Sequence, residues 1–132
     1  MRALATTFII LMAAVLIGCS MPERVTIVNR SNGDLSLEFK DGKKRVIMAG
    51  RSEELSVSSF FLASAVIHAG VKKEFSWRLP PPELMDRRKY PRKVSLCLEP
   101  DGKIYAADAT AADGGRQPVT PQPDGFPLAS TL

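Results

Sequence analysis

The chain carries one histidine, His68, and two cysteines, Cys19 and Cys97. That is little material for a metal site or for nucleophilic catalysis. A serine or cysteine nucleophile needs a base within hydrogen-bond reach and a third group that orients the base. Ser58, Ser64 or Cys97 could partner His68, but no GxSxG or HExxH pattern puts any of them beside it. His68 therefore reads as a half-buried strand histidine. Glu53-Glu54 and Asp101 are the remaining acid–base candidates. A glycosidase holds two carboxylates about 5–10 Å apart across a cleft, and a small β-domain seldom builds one. A solvated strand start and a turn account for these acids more simply. The residues point to a protein that is not an enzyme, with no cofactor and no metal.

The basic residues are the more suggestive feature. Arg87, Arg88, Lys89, Arg92 and Lys93 fall within seven positions, with Tyr90 and Pro91 among them, and Lys43, Lys44 and Arg45 form a second cluster. Exposed clusters of this kind either solvate a loop or meet an anionic surface, at about 1 kcal/mol per charge near acidic lipid. The 18 basic and 14 acidic residues leave a formal charge of +4 over 132 residues, too weak a balance to argue for nucleic acid.

The N-terminus narrows the choice. Arg2 precedes an unbroken apolar run from Phe8 to Ile17. Ten residues at about 1.5 Å each span roughly 15 Å, half of a bilayer core. This is the length of a signal-peptide core, not of a membrane span. The run ends in Leu16-Ile17-Gly18-Cys19, which resembles the lipobox of bacterial lipoproteins. The resemblance covers about 20 of the 132 residues. It implies cleavage before Cys19 and a diacylglycerol thioether on its sulfur, often with a third acyl chain such as palmitate on the new amino group. It also implies a membrane anchored through that lipid. In the enteric pattern Asp follows the cysteine of proteins kept in the inner membrane. Ser20 stands there instead, which implies the periplasmic face of the outer membrane. The chain then divides into a signal peptide (1–18), a short lipidated tether (19–24), a β-sandwich (25–107) and a Pro/Gly-rich extended tail (108–132). The five residues from Ser20 to Arg24, at about 3.3–3.6 Å each, reach at most some 17 Å, so the domain is expected close to the membrane.

The elements that must position these side chains read as strands. Val25 and Ile27, Leu35 to Phe39, Leu55 and Val57, Val71 to Leu79, Val94 to Leu98, and Ile104 and Ala106 all alternate apolar with polar neighbours. Asn32-Gly33, Asp41-Gly42 and Pro100-Asp101-Gly102 supply hairpin chemistry between them. Phe60 to His68 fits either a helix or a strand, and the strand is favoured. Pro80-Pro81-Pro82 reads as a stiff crossover. Trp77 reads as a core anchor, although a groove beside the prolines is the alternative. Cys97 lies on the parity opposite to Val94, Leu96 and Leu98, so it faces a shielded layer or forms an intermolecular disulfide. The tail, with four prolines, is expected to be tethered at most by Val119, Phe126 and Leu128.

These readings combine into an all-β protein, a small antiparallel sandwich of Ig-like or transthyretin-like Greek-key form. The expected function is that of an envelope-anchored, non-catalytic binding or structural module whose partner is an envelope protein, a glycan or anionic lipid. An electrostatic binder acting through Arg87–Lys93, or an inhibitor or immunity lipoprotein, is the alternative.

Overall fold

A computed structural model describes residues 21–131 apart from Ala69 and Lys89. The lipobox residues Leu16, Ile17, Gly18 and Cys19 lie outside the described residues, as does Lys89 of the basic loop.

The domain is an all-β sandwich of two four-stranded sheets. In chain order the strands are β1 (Arg24–Asn29), β2 (Leu35–Phe39), β3 (Lys44–Ile47), β4 (Ser52–Ser56), β5 (Ala63–His68), β6 (Val71–Lys73), β7 (Lys93–Leu98) and β8 (Ile104–Ala107). One short helix, α1 (Val57–Phe61), and a 3-10 turn at Pro82–Leu84 complete the regular structure. One sheet runs β4-β1-β7-β8 and the other β3-β2-β5-β6. All ladders are antiparallel except β1 with β7. Between those two strands the chain passes through the whole second sheet, which leaves it free to return in the same direction.

The period-two pattern places the core. Val25, Ile27, Leu35, Leu37, Leu55, Val66, Val94, Leu96 and Leu98 point between the sheets and are buried, with Phe60 of α1. At about 25 cal/mol per Å² of apolar area removed from water, this burial is the main stabilising term. Phe75, Trp77 and Leu79 keep the inward parity expected of them, but only Val71–Lys73 pairs as a strand. The following residues run along the core without a ladder partner.

Three connections differ from the sequence expectation. Asn32-Gly33 is not a hairpin, because β1 and β2 belong to different sheets. Gly33 also lacks the positive φ that a type I′ turn demands, whereas Gly42 (φ 84°) and Gly102 (φ 78°) have it in true hairpins. Phe60–His68 divides into the end of α1 and then β5. Ser56 starts the helix by accepting the Ser59 N–H on its hydroxyl at 3.2 Å. The tail, finally, is folded onto the domain. Ile104 bridges Leu128, Ala107 bridges Pro118, and the Thr131 N–H reaches the O of Glu74, just past β6, at 2.8 Å.

Candidate functional site

Three constellations compete for a functional role: the surroundings of His68, the basic loop, and one end of the sandwich.

His68 is buried in β5, and its Nε2 lies 2.7 Å from Ser31 Oγ. None of Ser58, Ser64 or Cys97 is its hydrogen-bond partner; Ser64 Oγ instead donates to Glu38 O. Ser31 Oγ is 2.6 Å from Asn29 Oδ1 and 3.0 Å from Gly33 O. Both of those oxygens can only accept, so they take the single hydroxyl proton, and His68 Nε2–H donates to Ser31. A serine already giving its proton elsewhere is not activated by this histidine. Asn29 Nδ2 donates to Gly33 O and to Ile47 O at 2.8 and 2.9 Å. The network ties the end of β1 in one sheet to β3 and β5 in the other. Burial, then the charge of Lys73, lowers the His68 pKa, in keeping with a neutral ring.

The carboxylates do not converge. Glu53 pairs with Arg45 at 3.8 Å and Glu54 with Lys93 at 2.9 Å. Asp101 lies in the β7–β8 turn at the far end, accepting from Lys103 N and Tyr105 Oη. Among the described residues no three His, Cys, Asp or Glu side chains assemble into a metal site.

The basic loop is largely matched by acids. Arg88 Nε meets Asp86 at 3.1 Å, Arg92 meets Glu23 at 3.3 Å, and Lys93 meets Glu54. Arg87 is exposed. Such exposed, solvent-screened pairs add little to stability, but they cancel much of the charge that the sequence concentrates there.

The third constellation is an end of the molecule. Arg24 opens β1 and is paired in register with Ser56 and Lys93. In the other sheet, Phe39 is in register with Ala63, and Lys44 with Glu38. α1 bridges Ser56 directly to β5, so both sets lie at the same end. Backbone bonds from Val57 N to Glu23 O (3.1 Å) and from Lys40 N to Leu62 O (3.0 Å) lock them together. The β2–β3 hairpin projects here. Asp41 Oδ1 accepts from Lys43 N at 3.0 Å, and Gly42 supplies the turn. Between hairpin, α1 and β4 lies a groove of about 650 Å³ with Phe39, Leu55 and Leu62 in its wall. Five basic side chains line it, Arg24, Lys40, Lys43, Lys44 and Arg45, against Asp41 and Glu54.

Three large apolar side chains stand exposed at this same end: Met21 (53%), Phe61 (44%) and Leu62 (51%). Tyr90, also exposed, instead borders a hollow over the outer face of the β4-β1-β7-β8 sheet with Thr26, Ser95 and Gly114. The sequence marks Lys43–Arg45 as basic, but Lys40, Phe61 and Leu62 escape it. The readable signal is Phe60-Phe61-Leu62, three consecutive apolar residues on a helical turn that can bury only one face.

No family model matches the chain, and neither a curated protein nor a solved structure matches it. Among the described residues no helix is long and apolar enough to cross a membrane.

Proposed function

We propose that the protein is an envelope-anchored bacterial lipoprotein, held by lipid on Cys19 at the periplasmic face of the outer membrane and acting as a non-catalytic binding module. The observation that carries this reading is the place where the chain enters the fold. Met21 stands two positions after Cys19, at the end of the sandwich that holds the basic groove and the exposed apolar side chains. A lipid on Cys19 brings that end, and no other, to a membrane. The hydrogen-bonding of Ser31, His68 and Asn29 supports the non-catalytic part, since those polar groups are used up in joining the sheets.

Mass spectrometry of the mature N-terminal peptide tests the anchor. The expected result is a chain that begins at Cys19 and carries a diacylglycerol mass, and Cys19→Ala should leave the signal uncut. A mature chain starting elsewhere, or a bare Cys19, would remove the reading. The binding role is tested by capture from envelope extracts at low and high salt. A defined protein or glycan retained at high salt is the expected outcome for a shape-complementary interface.

A further inference from the structure

We infer that the end of the sandwich carrying α1 and the β2–β3 hairpin is itself a membrane-docking face, built to rest on an anionic phospholipid surface. This rests on the reading of Cys19 as the anchor and adds which side chains touch the bilayer.

Three independent features converge on this end. Apolar side chains stand exposed there: Phe61 and Leu62 are adjacent at the end of α1 and about half exposed, with Met21 beside the tether, while Val46, Met48, Val71 and Tyr90 are exposed elsewhere on the domain. The charge around them is positive, with five basic against two acidic residues along the groove. Lys40, Lys43 and Lys44 lie on the exposed hairpin beside Leu62. Amphipathic surfaces that combine aromatic or aliphatic side chains with lysines seat their apolar part about 5–10 Å into the headgroup boundary. The third feature is reach: only Ser20 separates Cys19 from Met21, so an anchored chain cannot turn this end away from the bilayer.

The basic loop takes the lesser part. Arg88, Arg92 and Lys93 already face Asp86, Glu23 and Glu54, whereas among the described residues the hairpin lysines make one long ion pair, Lys43 to Asp41 at 4.0 Å, with Glu38 opposite Lys44 in the ladder. Electrostatic contact with headgroup phosphates therefore falls on Lys40, Lys43 and Lys44 more than on Arg87–Lys93.

The acylated protein is reconstituted into vesicles of 30% phosphatidylglycerol in phosphatidylcholine, with a nitroxide label at Leu62→Cys. A control carries the label at Val71→Cys, which is exposed beside His68 at the opposite end. Buried Cys97 does not compete for label. The label at position 62 should be less accessible to a water-soluble paramagnetic reagent than that at 71, by about threefold or more, as a headgroup-seated side chain would be. Lys40→Glu with Lys43→Glu and Lys44→Glu should restore its accessibility, as should pure phosphatidylcholine. Equal accessibility at 62 and 71 overturns the proposal. So does protection at 62 that ignores both charge reversal and lipid charge. The N-terminal peptide mass is read on the same sample. A bare Cys19 sinks the anchor reading by itself. Docking is then decided by co-sedimentation of that protein with the phosphatidylglycerol vesicles, and binding no better than that of the charge-reversed variant overturns it.

Discussion

Ser95 Oγ donates a hydrogen bond to the carbonyl of Gly115 at 2.6 Å, and a Cβ added at Gly115 would stand 2.6 Å from the Ser95 Cβ. The tail thus lies directly on the outer face of the β4-β1-β7-β8 sheet. Val28, Cys97 and Ala107 form a small second core beneath it, and Arg116 reaches across to Gly50 O at 3.2 Å. Gly115 has φ +84°, and the backbone of Ala109 is 3.2 Å from its virtual Cβ. The clash therefore cannot be relieved by moving a flexible side-chain tip. Gly115→Ala should cost about 2–4 kcal/mol, combining left-handed strain with overpacking. Gly114→Ala has the same sign of φ but open space around it, so it should cost about 1–2 kcal/mol. Urea unfolding of the two variants checks the difference, and equal losses would show that the tail does not pack there.

The same cover governs Cys97. Its side chain is wholly buried, its Sγ is 3.6 Å from Gly115 O, and burial together with Glu99 pushes the thiol pKa up to about 12. The thiolate is the reactive species, so the native thiol should be inert at pH 8. Ellman's reagent is expected to find no reacting thiol in the folded protein and one per acylated chain in 8 M urea. A non-reducing gel should show monomer only. Rapid native reaction, or a disulfide-linked dimer, would contradict the placement.

His68 makes stability depend on pH. Its pKa is lowered by burial and by Lys73, so the unfolded chain takes up a proton at higher pH than the folded one. The stabilisation from the neutral ring is complete above the unfolded value of about 6.5 and is lost as pH falls below it. Melting temperature should fall between pH 7.5 and 5.5, and the fall should be smaller in His68→Gln. Ser31→Ala should cost about 1–3 kcal/mol at pH 7.5, because it leaves buried Nε2 without its partner. Identical pH profiles for wild type and His68→Gln would rule out the buried neutral ring.

The alternation of apolar residues carried most of the fold because each strand buries one face. Leu35/Leu37 and Val94/Leu96/Leu98 lie inward as their parity demands. Cys97, on the opposite parity of β7, is buried all the same, because a second layer covers it. Two kinds of feature were not legible. The turn at Asn32-Gly33 has hairpin chemistry, yet the inward faces of β1 and β2 must meet across the core, and that tertiary demand overrides the local signal. The end face was only half legible. The lysines of the hairpin show in sequence, but their neighbourhood with Phe61 and Leu62 follows from α1 closing the gap between the sheets. Likewise the charges of Arg88, Arg92 and Lys93 are plain in sequence, while, Asp86 apart, the acids facing them come from far along the chain, Glu23 just before β1 and Glu54 in β4.

The tail shows most clearly how far composition can mislead. Four prolines and few apolar residues suggest a loosely held segment, yet it closes the open side of the sandwich. Leu128 exchanges backbone hydrogen bonds with Ile104 at 2.7 and 3.0 Å and joins the main core at 7% exposure. Gln122 does the work of a strand residue with its side chain, donating Nε2–H to Ala106 O and accepting from Ala106 N, both at 2.8 Å. Sparse but well-placed contacts of this sort leave no periodic trace. Leu128→Ala should cost about 2–4 kcal/mol, within the range for buried leucines. Truncation after Gln117 should cost more, since it also bares the edge of β8. Chemical denaturation of both variants, with Trp77 fluorescence as the probe, would decide the matter. A truncated domain as stable as the full chain would mean that the tail is only laid on the surface.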